Sequence, residues 1–460
     1  MTENISYDLL IIGGGSAGTT AAIAALDYGA STIGLIEKGL LGGTCTNVGC
    51  VPSKSYLRAA DLINSNRQAV DYGLFADLSR PDYKAIVEHK NKIVSAMRSA
   101  GSKTLEKYDI EIIKEQAVFK DANTLQVGSQ ILTANNILVA TGAKSFIPPI
   151  EGVFDVPYLT STSALSLEKL PESIIIIGGA YIGLEFAAFF HSIGVKTTVI
   201  EAAPRLAPNE DQEISSYLAT SFEKKGLEFH AGAKVLGVSG DSEIEVKIEK
   251  NGEQSRLKGQ KVLIATGRVP NLEELGLETA GIKFGRKGIE VNEYLQTSAP
   301  SVYAAGDVLT SLQLEHVAVY EGWKAAVNMF SEKKESVDYR VIPRVMFSHP
   351  EVASVGETEE QAANRTDVKS VVYPYSGIAM ANISGENEGL IKLVADSSTG
   401  ILLGAHIVGK NAGDLIHLGA MAMQSNIPVD KISDSIAAYP TLAQGFYYAA
   451  ENLSAKIKQI

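Results

Sequence analysis

The hydrophobic pattern at the start of the chain predicts a strand, a tight turn and a helix. An apolar run over 7–12 leads to the glycines Gly13, Gly15 and Gly18, and small residues with helical character follow over 19–26. A second apolar run ends just before Glu37. Glycines at this spacing let the chain turn, approach a pyrophosphate and pack its helix closely, and the acid can accept a hydrogen bond from a ribose hydroxyl. The pattern predicts a dinucleotide-binding unit, with a purely structural glycine-rich turn as the alternative.

The same pattern recurs near the middle of the chain. An apolar run over 173–177 precedes Gly178, Ala180 and Gly183, and a helical stretch and a second apolar run then end at Glu201. The Ala180 methyl group stands where the backbone approaches the pyrophosphate, so we expect looser or displaced binding. Glu201 would repel a 2′-phosphate and bond a 2′-hydroxyl, which favours NADH over NADPH. The nearby Arg205 keeps NADPH open as an alternative.

Length and charge narrow the class of protein. A chain of 460 residues exceeds the size at which one hydrophobic core keeps growing, so two or three domains are expected. The net charge of −12, without a long basic cluster, argues against nucleic acid as a partner. The chain start lacks the basic region of an export signal, and no segment approaches the ~18 apolar residues of a membrane span. We therefore predict a cytoplasmic protein without a membrane partner.

The two cysteines, Cys45 and Cys50, lie in the glycine-rich stretch 42–54. On a regular helix, Cα atoms five residues apart are about 8.6 Å from each other, beyond the ~7 Å limit for a disulfide. A bond between them would require a distorted turn, which the local glycines allow, and Pro52 is suited to open a helix that starts near Cys50. A helix start favours a thiolate. A structural zinc site is not favoured, because the first 88 residues contain no histidine; two inert core cysteines remain an alternative.

Together with the two fingerprints, the stretch Gly-Gly-Thr-Cys-Thr-Asn-Val-Gly-Cys-Val-Pro-Ser-Lys over 42–54 resembles the signature of class I flavin-dependent pyridine nucleotide-disulfide oxidoreductases. This family includes dihydrolipoamide dehydrogenase, glutathione reductase and mercuric reductase. Further strings resemble the family in its order: 140–142, 265–271, 305–307 and 347–356. The resemblance implies an α/β fold with two Rossmann-like domains, for FAD and NAD(P), and an α+β C-terminal dimerisation domain. The implied bounds are 1–148 with 272–334 for FAD, 149–271 for NAD(P), and 335–460 for dimerisation.

The resemblance also implies an electron path and a set of site residues. Hydride would pass from NAD(P)H to FAD, then to the Cys45–Cys50 disulfide and on to a small acceptor, with Cys50 as the charge-transfer thiol and Cys45 as the interchange thiol. Lys54 and Glu185 would form an ion pair near the flavin, and a helix would start at 314–318 beneath the flavin ring. The implied cofactor-binding residues are Gly13, Gly15, Gly18, Glu37, Gly43, Thr44, Lys54, Thr141, Gly142, Gly178, Ala180, Gly183, Glu201, Gly267, Gly306, Asp307, Leu314, His316 and Ala318. No metal site is predicted.

The sequence departs from the family near its C-terminus. Where most members carry a His-Pro-Thr stretch followed by a glutamate, this chain has Tyr439-Pro440-Thr441 and Gln444. A tyrosine, with an unperturbed pKa near ~10, is a poor base at neutral pH, and glutamine cannot orient an imidazolium by charge. Dihydrolipoamide oxidation is therefore not favoured. Mercuric reductases also carry a tyrosine near this point, but they pass the metal through a C-terminal cysteine pair that this sequence lacks.

These departures predict a reductase of small disulfides or thiol-reactive oxidants such as hypothiocyanous acid or quinones, because acceptors whose leaving group needs no proton suit a site without the histidine. Because the C-terminal region completes the partner's active site in the family, a homodimer is implied, with Tyr439 and Gln444 facing the other subunit. Alternatives are a mercuric reductase-like enzyme, a dihydrolipoamide dehydrogenase, and a non-catalytic NADH-sensing flavoprotein. Tyr439 could also be an interface packing residue. The sequence leaves the physiological acceptor open.

Overall fold

The computed structural model describes residues 5–74, 81–309 and 312–458. The chain forms two compact units. The first contains the residues up to Ser55 together with Ala85–Phe146 and Gly267–Asp338. The second contains Tyr56–Lys84, Ile147–Thr266 and the residues from Tyr339 onward.

The first third of the chain begins with the strand, turn and helix that its sequence predicts. Its elements are β1 (Ile5–Ile12), α1 (Ser16–Asp27), β2 (Ile33–Ile36), α2 (Gly43–Val48), α3 (Cys50–Ala69), a 3-10 turn (Val70–Tyr72), α4 (Tyr83–Lys107), β3 (Glu111–Ile113), β4 (Ala117–Asp121), β5 (Thr124–Val127), β6 (Gln130–Val139) and β7 (Ala143–Ser145).

The middle third of the chain contains a second strand, turn and helix, which are followed by a further strand. Its elements are a 3-10 turn (Val153–Asp155), α5 (Ser161–Ala164), β8 (Ser173–Ile177), α6 (Tyr181–Ser192), β9 (Lys196–Glu201), α7 (Gln212–Lys224), β10 (Glu228–Ala231), β11 (Lys234–Gly240), β12 (Ile244–Lys250), β13 (Glu253–Gly259) and β14 (Lys261–Ile264).

The last third returns to the first unit and then builds a new sheet. Its elements are β15 (Arg268–Pro270), β16 (Phe284–Gly285), β17 (Gly288–Ile289), β18 (Val302–Ala304), α8 (Glu315–Phe330), β19 (Arg344–Met346), β20 (Val352–Gly356), α9 (Glu359–Ala363), β21 (Val368–Pro374), a 3-10 turn (Tyr375–Gly377), α10 (Ala379–Ile383), β22 (Gly389–Asp396), β23 (Leu402–Gly409), α11 (Ala412–Gln424), α12 (Val429–Ser433) and α13 (Gln444–Lys458).

The first unit is built on a sheet in the order β3-β2-β1-β6-β5-β4, with β18 also paired to β6. Strands β2, β1, β6 and β18 are parallel, and Ile12 pairs with both Ile36 and Val139. The carboxyl ends of these strands therefore lie side by side, which brings the turn after β1, Glu37 after β2 and the loop after β6 together. Their apolar side chains, with those of α1 and α8, form a continuous core.

The second unit contains a smaller parallel sheet in the order β10-β9-β8-β14. Here Ile177 pairs with Ile200 and Ile264, which repeats the arrangement of the first unit. An antiparallel sheet, β19-β20-β23-β22-β21, is packed against α11 and α13 around its own core. The predicted α/β fold class with an α+β C-terminal part is confirmed, whereas the three sets of domain bounds stay a prediction.

Within the described residues, no helix combines the length and the apolar character needed to cross a membrane.

Candidate active site

The turn after β1 packs so closely against its neighbours that two of its positions require glycine. Gly13 has a φ of +113°, and a methyl group on it would overlap the carbonyl of Ala140, while one on Gly18 would overlap the carbonyl of Gly13. Gly15 differs, because a methyl group there would meet only the Gly43 Cα, at 3.8 Å. The protein's own packing explains Gly13 and Gly18 but leaves space beside Gly15. This open cradle fits the close approach of a dinucleotide pyrophosphate.

Two helix starts meet at this cradle. Gly15 is the N-cap of α1, and Gly43, the first residue of α2, lies so close that a methyl group on it would be 2.7 Å from the Gly15 Cα. Both helices present unpaired N–H groups and a positive dipole end toward the same region. The arrangement suits an anionic group, and the residues present therefore fit FAD.

Each fingerprint acid is held by two backbone amides. Glu37 accepts hydrogen bonds from Gly14 N at 2.8 Å and Gly39 N at 2.6 Å. Glu201 accepts from Gly179 N at 2.6 Å and Ala203 N at 2.7 Å. The two carboxylates are thus fixed at the ends of β2 and β9 in the same way, so the two predicted nucleotide sites are geometric repeats.

The second turn tolerates its alanine. Gly178 and Gly183 repeat the overlaps of Gly13 and Gly18, with φ of +117° at Gly178. Ala180 is the N-cap of α6 with φ of −103°, an extended conformation open to any residue. The looser nucleotide binding expected from its methyl group stays a prediction.

Arg205 is part of the loop after β9. Its Nη2 donates to the carbonyls of Pro208 and Glu210, both at 3.1 Å, and its Nε is buried without a hydrogen-bond partner. The guanidinium is therefore committed to shaping its own loop.

Two loops of the first unit are tied together at the end of β6. Thr141 Oγ1 donates to the Asn271 carbonyl at 2.8 Å, and Asn271 returns a bond to the Thr141 carbonyl at 3.0 Å. The loop glycines Gly142 and Gly267 have φ of +69° and +108°. A side chain at either position would be strained, so the sequence string around each glycine is explained by backbone conformation.

The segment that precedes α8 carries a buried acid. Gly306 N donates to the buried Glu321 carboxylate at 2.6 Å, which ties the loop to α8. Burial raises the pKa of the neighbouring Asp307, and the Arg268 charge opposes that rise. A buried carboxylate with one weak ionic partner retains the capacity to accept hydrogen bonds from a bound polyol chain.

Cys45 and Cys50 face each other across a break between two helices. α2 ends at Val48 and α3 begins at Cys50, while Gly49 lies so close to the Thr44 carbonyl that a methyl group would be 2.9 Å from it. Both cysteines lie in the described part of the chain as thiols without a disulfide, and the two are hydrogen-bonded. The break supplies the distortion that the spacing requires. Pro52 is the third residue of α3 and not its first.

Charges surround the pair unevenly. The hydrogen bond to Cys50, burial, and the charges of Cys50 and Glu315 raise the pKa of the Cys45 thiol, whereas the Lys54 ammonium lowers it. On the other side, burial lowers the pKa of Arg268, and the charges of Asp307 and Cys50 raise it. Cys50 therefore interacts with a largely buried cation, and Cys45 interacts with a carboxylate.

Arg268 is a site residue that sequence reasoning missed. Its Nη2 donates to Thr44 Oγ1 at 3.3 Å and to the Ala143 carbonyl, and its Nε lies 3.9 Å from Asp307 Oδ2. Its side chain is only 13% exposed. The string Ala-Thr-Gly-Arg contained the residue, but only the pairing of β15 with β7 brings it to the cysteines.

The predicted pair Lys54 and Glu185 belongs to different units, and its pairing stays a prediction. Lys54 lies on α3, where its charge acts on Cys45. Glu185 is buried on α6, and its carboxylate accepts from Phe347 N at 3.0 Å. The Phe347 contact was not expected from the sequence.

The predicted helix start near residue 314 is confirmed. Leu314 is the N-cap of α8, and Ala318 N donates to its carbonyl at 3.0 Å. Ala318 is buried, while Glu315 and His316 are exposed. The exposed Glu315, which the sequence analysis did not select, is the acid that interacts with Cys45.

The C-terminal substitutions have contrasting environments. Tyr439 is 73% exposed within the chain. Gln444 is 7% exposed, and its amide donates to Tyr448 Oη at 3.1 Å and accepts from Thr441 N at 3.4 Å. Gln444 is therefore engaged within its own subunit, whereas the Tyr439 ring is open to an outside contact. Among the described residues, no group of three or more His, Cys, Asp or Glu side chains could hold a metal ion.

Known proteins resemble this chain over nearly its whole length. Residues 7–322 match the pyridine nucleotide-disulphide oxidoreductase family, and 342–450 match its dimerisation domain. Mercuric reductase from Staphylococcus aureus is 41% identical and is covered over 82% of its length by 96% of this chain. Dihydrolipoyl dehydrogenase from Bacillus subtilis (strain 168) is 35% identical, with 96% of this chain covering 97% of it.

A solved structure also matches nearly the whole of this chain. The Cu(II) complex of the HOCl-induced flavoprotein disulfide reductase RclA from Escherichia coli has a TM-score of 0.88 at 29% identity, and the match covers 97% of this chain and 99% of that chain. Family and fold agree with the cysteine pair and the two nucleotide-binding turns, and they support FAD as the cofactor. The chain therefore belongs to the pyridine nucleotide-disulphide oxidoreductase family and is an NAD(P)H-dependent flavin disulfide oxidoreductase.

Proposed function

We propose that this enzyme reduces a small disulfide or thiol-reactive oxidant with electrons from NAD(P)H, using Cys45 and Cys50 as its redox pair. The observation that carries the proposal is the hydrogen bond between the two thiols across the break at Gly49. Two sulfurs this close can exchange between dithiol and disulfide with little backbone movement. An inert structural pair would not need the break or the charges around it.

The FAD site in this proposal is formed by the first fingerprint and the loops at the same sheet edge. Gly15 and Gly43 would admit the pyrophosphate, Glu37 the ribose, and Asp307 the polyol chain. The chemistry that FAD supplies when bound is two-electron transfer between NAD(P)H and the cysteine pair. The roles of the remaining residues named from the family resemblance are part of this proposal.

The cysteines then divide the reaction between them. Cys45 Sγ attacks one sulfur of the acceptor disulfide and forms a mixed disulfide, and the thiol proton of Cys45 passes to the thiolate that is released. The Cys50 thiolate attacks Cys45 Sγ, releases the second thiol and leaves the Cys45–Cys50 disulfide. NAD(P)H restores the dithiol, so that RSSR, NAD(P)H and H⁺ give two RSH and NAD(P)⁺. The α3 start and the Arg268 charge favour the thiolate at Cys50.

The C-terminal substitutions support the choice of acceptor. A stable alkyl disulfide needs an acid to protonate its leaving thiolate, but Gln444 carries no ionisable group and is hydrogen-bonded within its subunit. An acceptor whose leaving group has a low pKa departs without such help. Low-molecular-weight activated disulfides, hypothiocyanous acid and quinones meet this condition.

NADH is the preferred reductant in this proposal. The Glu201 carboxylate is fixed at the end of β9, where it would repel a 2′-phosphate. Arg205, the residue that kept NADPH open, has its guanidinium bonded to two loop carbonyls. A homodimer belongs to the proposal because the chain carries the family's dimerisation domain. The cytoplasmic location stays a prediction.

The test compares acceptors against a cysteine variant. Purified protein is checked for bound FAD, and NADH oxidation is followed with lipoamide, glutathione disulfide, an activated aryl disulfide, hypothiocyanous acid, a quinone and mercuric ion, each with Cys45→Ser alongside. Fast turnover of a thiol-reactive acceptor that Cys45→Ser abolishes is the expected result. Slow, Cys45-independent rates with every acceptor, while NADH still binds, would favour the sensing flavoprotein instead. Efficient lipoamide turnover would contradict the reasoning from Tyr439 and Gln444.

A second candidate function is the reduction of a thiophilic metal ion. The 41% identity with Staphylococcus aureus mercuric reductase favours it, and the Escherichia coli relative is described as a Cu(II) complex. Mercuric ion and NAD(P)H would give metallic mercury, NAD(P)⁺ and H⁺. Cys45-dependent release of volatile mercury in the same assay would support this function over disulfide reduction.

A further inference from the structure

The start of α8 lies beside the cysteine pair through a chain of short contacts. Thr44, next to Cys45, accepts a hydrogen bond from Arg268 at 3.3 Å, and Arg268 Nε lies 3.9 Å from Asp307. Gln313 donates to the Asp307 carbonyl at 3.4 Å. Glu315 follows two residues later as the first residue of α8.

A second set of contacts fixes α8 in this position independently. A methyl group on Gly306 would lie 3.2 Å from the Ala17 side chain of α1 and 3.4 Å from the Ala318 side chain of α8. Gly322 packs so closely on Ala17 that any side chain there would overlap the backbone of α1. Because α1 also contacts α2 through Gly15 and Gly43, the starts of all three helices are held together.

Glu315 is exposed on this rigid frame and acts electrostatically on Cys45. Cys45, the thiol that would attack the acceptor, is therefore under the influence of a carboxylate, while the charge of the largely buried Arg268 acts on Cys50. Because the Glu315 charge acts at the thiol itself, an acceptor that meets Cys45 is exposed to the same charge. A fixed charge at a site mouth changes the rate for charged ligands and leaves neutral ligands nearly unaffected.

We infer that Glu315 is a specificity-determining residue, which disfavours anionic acceptors at Cys45 and favours neutral and cationic ones. This inference rests on the proposed function, because it assigns Cys45 as the thiol that meets the acceptor. It narrows the acceptor class: dicarboxylic disulfides are poor substrates, whereas uncharged oxidants, ammonium-bearing disulfides and metal cations reach the thiol. Lys54 carries the opposite charge and weakens the selection without reversing it.

The first experiment measures access to Cys45 without turnover. Cys50→Ser leaves Cys45 as the sole thiol of the sequence. The FAD-loaded variant is modified with two methanethiosulfonates that differ in charge, the trimethylammonium-ethyl and the sulfonatoethyl reagent. Glu315→Gln should slow the cationic reagent about threefold and speed the anionic reagent about threefold, as expected for unit charges ~8 Å apart in a largely aqueous medium. The ratio of the two rates then changes about tenfold.

Glu332→Gln is the matched control. It removes the same charge from an exposed residue just beyond the far end of α8. A helix of 16 residues is about 24 Å long, which exceeds two Debye lengths of about 8–10 Å at physiological salt. The control should leave the ratio within about twofold of the parent. If Glu315→Gln changes the ratio no more than Glu332→Gln does, the inference is wrong.

A second experiment separates this inference from the proposed function. Three activated disulfides with the same two-carbon arm and the same 2-pyridyl leaving group are compared: the mixed 2-pyridyl disulfides of cysteamine, 2-mercaptoethanol and 3-mercaptopropionate. In the wild-type enzyme kcat/KM should fall in that order, and Glu315→Gln should compress the series when each value is divided by that of the neutral disulfide. If neither these disulfides nor the oxidants of the acceptor comparison are reduced through Cys45 but the reagent ratio still changes, the proposed function fails and the charge selection stands. If the neutral disulfide is reduced through Cys45 but the series is not compressed, the selection by Glu315 fails alone. A purely structural role at the helix start would lower the melting temperature of Glu315→Gln without changing either ratio.

Discussion

Arg268 and Asp307 form a partly buried ion pair whose removal has a calculable consequence. At the observed 3.9 Å between Nε and Oδ2, Coulomb attraction with an effective dielectric of about 20 amounts to ~4 kcal/mol. Burial of the two groups opposes part of this gain, and removing one member leaves the other charge uncompensated. We expect Arg268→Met to lower the free energy of unfolding by about 3 kcal/mol. Arg268→Lys keeps the charge and should cost less.

A double-mutant cycle isolates the ionic contribution. In an Asp307→Asn background, Arg268→Met should cost only about 1 kcal/mol, which gives a coupling energy of about 2 kcal/mol. The assay is urea unfolding of the four proteins, followed by far-UV circular dichroism. If Arg268→Met costs as much beside asparagine as beside aspartate, the pair does not stabilise the protein and the electrostatic account of this site fails.

The pH dependence of stability tests the direction of the Asp307 pKa shift. Burial raises the pKa of Asp307 in the folded protein, so the folded state binds more protons than the unfolded state between the two pKa values. Stability is therefore lost as pH rises through that window, and removing Arg268 raises the folded pKa further. The loss of unfolding free energy caused by Arg268→Met should therefore be smaller at pH 5 than at pH 8. A deficit that grows on acidification would contradict this assignment.

Three other predictions concern the nucleotide turns and the second unit. Gly15→Ala should fold normally, because its methyl group is 3.8 Å from the nearest atom of the protein, but should lose at least tenfold in FAD affinity by flavin fluorescence. Gly18→Ala, whose methyl group overlaps the Gly13 carbonyl, should also lower the melting temperature. Equal behaviour of the two variants would exclude a cofactor at Gly15. Glu201→Ser should raise the ratio of NADPH to NADH kcat/KM about tenfold in a dye-reduction assay, and an unchanged ratio would remove the carboxylate from nucleotide selection. Burial raises the pKa of Asp211, while hydrogen bonds, first that from Lys392, lower it to about 2. The carboxylate therefore contributes about 2 kcal/mol of stability above the unfolded pKa near ~4, and this contribution is lost as pH falls toward 2. In Asp211→Asn the free energy of unfolding should depend less on pH over that range.

Much of the candidate site follows from local sequence. The bounds of β2 and β8 agree with the apolar runs 33–36 and 173–177, because a buried parallel strand is encoded by its own residues. The glycine fingerprints are equally local, since each overlap involves a carbonyl or strand end that the same motif brings close. The start of α3 at Cys50 and of α8 after Leu314 also agree with what the sequence indicated.

Two other stretches with the composition of strands, 341–347 and 400–408, form shorter strands because residues beside them end the sheet pairing. The apolar run 341–347 forms only the short strand β19 (Arg344–Met346), which starts just after Pro343. Proline cannot donate to a sheet ladder, so a strand often starts beyond it. The run 400–408 loses its first residues because Gly400, with φ of +71°, turns the chain before β23 begins.

The sequence alone determined the family, the two glycine-rich turns and the predicted redox pair, because each depends on spacing between residues that are near one another in the chain. Tertiary structure alone decided which charges act on that pair. Arg268 donates a hydrogen bond to Thr44 across 224 positions of sequence, and the Glu315 charge acts on Cys45 because α8 packs on α1. Such contacts depend on how the strands pair and the helices pack, and no local period or motif encodes them.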